Sequence, residues 1–103
     1  MSDADLADEY ERELARVVER IRTMPLTRLA SCSDQVFGLC GTFADLAHEA
    51  GSGLAGSTAL PRIGDHALPD QLQVLGMELA AVGDSTVITL AHEQLVDMRK
   101  ALP

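Results

Sequence analysis

Apolar side chains recur along this chain at steps of three and four, the spacing of one face of an α-helix. In the first such stretch Leu6, Tyr10, Leu14, Val17, Ile21 and Met24 make a narrow stripe, with Ala7 and Val18 at its flank. Glu9, Arg12, Glu13, Arg16, Glu19 and Arg20 occupy the other side, a solvated face with ion pairs three or four residues apart. Ser2 or Asp3 is placed to cap this helix, and Asp3, Asp5, Asp8 and Glu9 crowd its first turns, where the macrodipole favours anions. Pro25 breaks or restarts it, so the second helix is predicted to begin between Leu26 and Asp34.

The second helix is the expected centre of the core. Leu29, Cys32, Val36, Leu39, Phe43, Leu46 and Ala50 form its stripe, widened by Cys40, Ala44 and Ala47. Gly51 ends it, and Gly51 to Gly64 reads as a long Gly-rich loop. Pro69 suits the first position of a third helix with Leu72, Leu75, Leu79 and Val82 inward. Gly76 lies within that stripe and admits a close backbone, while Val74, Met77 and Ala81 make a second apolar lane on the reverse side. After the turn at Gly83, Asp84 or Ser85 caps a fourth helix with Val87, Leu90, Ala91, Leu95, Met98 and Leu102 inward. Thr86 to Leu90 is β-branched enough for a strand, but a lone strand has nothing to pair with, so helix is predicted there too. The expectation is an all-α single domain over residues 1–103: an antiparallel four-helix up-down-up-down bundle, with the long loop between helices two and three.

Composition narrows the function more than it names it. The net charge of −8 argues against nucleic acid and against an anionic membrane surface, both of which need Lys and Arg. No apolar run reaches a membrane span, and no apolar stretch follows a basic start, so a cytoplasmic protein is expected. Cys32 and Cys40 are eight residues apart on one helix, about 12 Å along its axis, too far for a disulfide between them.

Four candidate chemistries present themselves. Gly51-Ser52-Gly53-Leu54-Ala55-Gly56 matches G-x-G-x-x-G literally, but a helix precedes it and no βαβ unit is available, so it reads as loop. Asp45 and His48 lie one turn apart, as in carboxylate-x-x-His metal pairs, but only one such pair exists, and no metal and no cofactor are predicted. Cys32 lies near a possible helix start and lacks a neighbouring His or second Cys, and Cys40 faces the core, so neither is expected to be catalytic. His66, in the loop, is the histidine least tied to a helix face.

The surface carries the less ordinary signal. Asp34, Gly38, Gly41 and Asp45 fall on one line of the second helix, where each glycine costs about 0.5–1 kcal/mol relative to Ala. That lane, or the lane of Val74, Met77 and Ala81, is expected to be an interface with a second copy or another protein. The leading expectation is therefore a non-catalytic interaction or regulatory module, self-associating, most simply as a homodimer. The alternative is a small-molecule- or metal-binding protein using the 51–66 loop with Cys32, His48, His66 and His92.

Overall fold

The computed structural model describes residues 2–103, and among them there are four α-helices and no strand: α1 (Asp3–Thr23), α2 (Leu26–Glu49), α3 (Leu68–Val82) and α4 (Ser85–Ala101). Each boundary has a local cause. Ser2 Oγ accepts the Asp5 N–H at 3.2 Å and Asp84 Oδ1 accepts the Val87 N–H at 2.9 Å, the N-caps of α1 and α4. Met24 is extended, as a residue before proline must be, and Pro25 caps α2, which starts at Leu26, the earliest position anticipated. Thr86 to Leu90 is helical.

The core is the one the periodicity describes. Tyr10, Leu14, Val17 and Ile21 of α1 meet Val36, Cys40, Phe43 and Ala47 of α2, Leu72 and Leu79 of α3, and Ala91 and Leu95 of α4. The Tyr10 and Phe43 rings lie 6.5 Å apart between centroids. Gly76 has a close neighbour, but it is a side chain and not the expected backbone: a Cβ there would stand 2.6 Å from the Leu14 methyls.

Two assignments are corrected, one inward and one outward. Leu90 is 44% exposed, and Ile88 takes the buried position on that turn of α4. Glu13, on the face expected to be solvated, is only 3% exposed. It accepts from Arg16 at 3.2 Å and from Arg99 Nε, tying α1 to α4. Burial pushes its carboxyl upward, but the two guanidiniums outweigh burial and hold it below the ordinary 4.5.

The larger correction concerns direction. Along α1 and α3 the contacts run antiparallel, Arg22 with Asp70 and Tyr10 with Gly76. Along α1 and α4 they run parallel, from Leu6 and Ala7 beside Ser85 and Ile88 to Glu13 with Arg99. The ends of α2 and α3 coincide, with Leu46, Glu49 and Ala50 beside Val82. So α2 and α3 run the same way, and the expected alternation of four directions does not hold. The reason lies in the connection between them. As it advances from Leu54 to Ser57 to Arg62, its partners on α2 step back from His48 to Asp45 to Asp34. It is a return leg along most of α2, with short 3-10 turns at Ser57–Ala59 and Asp65–Ala67, and it delivers α3 to the starting end of α2.

Candidate functional site

The side-chain lane anticipated on α2 meets the chain's own return leg. Asp45 accepts the Ser57 N–H at 2.6 Å through one carboxylate oxygen and the Ser57 hydroxyl at 2.9 Å through the other. These two bonds hold its carboxyl below the usual range. Asp34 pairs with Arg62 at 3.1 Å, and the Arg62 guanidinium lies 4.7 Å from the centroid of the Phe37 ring. Gly41 sits under Ser57, whose Cβ is 3.4 Å from where a Gly41 Cβ would be. A Cβ at Gly38 would meet nothing within 4 Å, and Gly38 lines a separate groove between α2 and α4 with Thr42, Gln94 and Asp97. A close approach over three of the four positions is thus made by residues 56–62 of the same chain.

The candidate ligand residues do not converge. His48, near the end of α2, donates Nδ1–H to the Leu54 carbonyl at 2.8 Å. His66 lies exposed in the second 3-10 turn, and His92 is half-buried on α4. Cys32 is buried on α2, where burial first and then the Asp65 carboxylate push its thiol up. The Cys40 thiol is pushed up to about 12 by burial. Among the described residues, no three His, Cys, Asp or Glu side chains stand together as a metal site would require.

The open surface lies on α3. Val74 is 63% exposed and Met77 46%, with exposed Ala81 one turn further on. Beside them is a groove of about 510 Å³ between α3 and the return leg. Leu54, Leu60 and Ile63 form its outer wall, and Ala44 and Leu75 lie deeper in its lining. Its lining carries two polar side chains, Asp70 and Gln71. Gln71 donates to the Pro61 carbonyl at 2.9 Å, which fixes its amide, and leaves Oε1 buried without a partner. Sequence reasoning identified the lane of Val74, Met77 and Ala81 but not the groove, because the groove needs a wall built from residues 54–63.

Among the described residues, no helix is long and apolar enough to cross a membrane. The chain matches no protein-family model, no curated protein and no solved structure.

Proposed function

We propose that this protein is a non-catalytic interaction module that self-associates through the α3 face, as a two-fold dimer in the cytoplasm. The observation that carries this reading is the position of Val74 and Met77, exposed at 63% and 46%, beside an apolar groove on the same face. A projecting side chain next to a hollow suits an isologous contact, in which Met77 of each copy fills the groove of the other. Methionine is flexible and polarizable, and adapts to an irregular hollow. The groove's lining, apolar but for Asp70 and Gln71, supports binding. The test is molecular mass by sedimentation equilibrium over a concentration series. A dimer that dissociates in Val74→Asp and Met77→Asp is expected; a wild-type monomer at every concentration overturns the reading.

A second reading is favoured by the groove's size. About 510 Å³ falls within the range of small-molecule sites, and its lining is apolar, so a small hydrophobic ligand is the alternative occupant. Titration with an apolar fluorescent dye on the monomeric variant Met77→Asp separates this from self-association.

A further inference from the structure

The outer wall of the groove is attached to the bundle mainly by polar contacts; of its apolar side chains Leu60, partly buried, packs against the core. From Gly51 through Ala67 no residue is fully buried, so apolar burial does little to hold this segment down. What holds it at mid-length is the Asp45 carboxylate on the Ser57 N–H and hydroxyl, with His48 on the Leu54 carbonyl. Arg62 holds the far end, on Ser33 and Asp34. The chain enters the segment through two glycines of positive φ, Gly51 at 87° and Gly53 at 84°, and leaves it through Gly64 at 153°. These are conformations that only glycine adopts freely, so the segment is bounded on both sides by residues of wide backbone freedom.

We propose that residues 52–60 form a latched wall. The Asp45–Ser57 bonds are its main tie to α2, and their release loosens it there, leaving the His48–Leu54 bond at its start, while the four helices remain folded, which regulates the apolar face. This rests on the reading of that face as the interaction surface. Two observations make the latch specific. The Gly56 backbone passes so close to α2 that a Cβ would lie 2.7 Å from Asp45 Oδ1, whereas a Cβ at Gly41 would make ordinary contact, 3.4 Å, with Ser57. The clamp therefore depends on the missing side chain of Gly56. In addition, the closed wall leaves Gln71 Oε1 buried without a partner, a desolvation cost that access of water removes. Opening also uncovers more of Ala44 and Leu75, so the apolar surface offered to a partner grows.

Amide hydrogen exchange on the full chain, at a concentration where it is monomeric, tests the latch. The variants are Asp45→Ala, at an exposed helical position where Ala is favourable, and Ser57→Ala. The reporters are the amides of Ser57, Ala59 and Leu60, which are bonded to Asp45, Gly56 and Ser57 respectively. In Asp45→Ala they are expected to exchange about tenfold faster or more, with Ser57→Ala in between and the four helices unchanged. Self-association is expected to shift by about threefold or more in the same variant. Three exchange results overturn the latch: no protection of these amides in the wild type, no change in Asp45→Ala, or acceleration of the helices together with the wall. An opened wall with unchanged association overturns its regulatory role. If the wild type never associates, the interaction reading fails, and the exchange rates alone still decide whether the wall is latched.

Discussion

The Tyr10 hydroxyl donates to the Gly76 carbonyl across the α1–α3 contact, at 2.8 Å and fully buried. Burial pushes that hydroxyl well above its ordinary pKa, so it remains a donor at any physiological pH. The bond needs α1 to sit close against α3, and Gly76 provides the room. Tyr10→Phe is expected to cost about 0.5–1.5 kcal/mol, the value of one buried neutral hydrogen bond. Gly76→Ala gains helix propensity but drives a methyl into Leu14, so a net loss of about 1–3 kcal/mol is expected. Urea unfolding of the two variants checks both values.

Glu13 makes stability sensitive to acid. Its carboxyl is depressed below the ordinary 4.5 in the folded state, so the unfolded chain binds the proton first as pH falls. The stabilisation is fully present above pH about 4.5 and is lost as pH drops through the folded value. Glu13→Gln is expected to cost about 1–2 kcal/mol at pH 7, a modest value because both guanidiniums are part-exposed. Thermal melts from pH 7 to pH 3 should show a flatter acid limb in that variant than in the wild type.

Both cysteines should be silent toward a thiol reagent in the native state. Cys32 and Cys40 are buried, with thiols pushed up, and the thiolate is the reacting species. At pH 8 a chromogenic disulfide is expected to release no chromophore from the native protein, and two equivalents after unfolding in guanidinium.

Gly56→Ala separates space from conformation. Its φ of −74° suits alanine, so the only objection to a Cβ is the Asp45 oxygen 2.7 Å away. Nuclear magnetic resonance of the Ser57 amide should show the bond to Asp45 lost, with the core signals unmoved. Gly64→Ala, at φ 153°, meets backbone strain instead and should cost about 1–3 kcal/mol in global stability.

Salt should strengthen the proposed self-association. Each copy carries a net charge of −8, so two copies repel, and screening removes that cost. Sedimentation at 0.5 M against about 0.05 M salt is expected to give tighter dimers, the opposite of what an interface built on ion pairs would give. Met77→Asp should weaken the dimer about tenfold or more at either salt.

The helices were legible because their cause is local. A stripe such as Tyr10, Leu14, Val17 and Ile21 is written at a fixed period, and caps such as Ser2 and Asp84 lie next to the turns they close. The direction of α3 was not, although its signal was present: a connection from Gly51 to Gly64 is long enough to walk back along α2, whereas a hairpin needs only a few residues. Glu13 was misplaced for a similar reason. Helical spacing puts it one position from Leu14, at the border of the stripe, and only the arrival of Arg99 from residue 86 positions later makes burial tolerable. Of the two glycines on α2, Gly41 lies under the chain's own residues 56 and 57, which no periodicity connects to Asp45, and Gly38 faces open space.

The packing of α1 against α3 and α4 also sets when its contacts can form during synthesis. Tyr10 waits for Gly76, and Glu13 waits for Arg99. A nascent chain that has delivered only α1 and α2 still presents the oily flank of α1 to the ribosome's surroundings, and it stays exposed until α3 and α4 emerge. Until then α1 is a helix whose buried hydroxyl and buried carboxylate both lack their partners from α3 and α4.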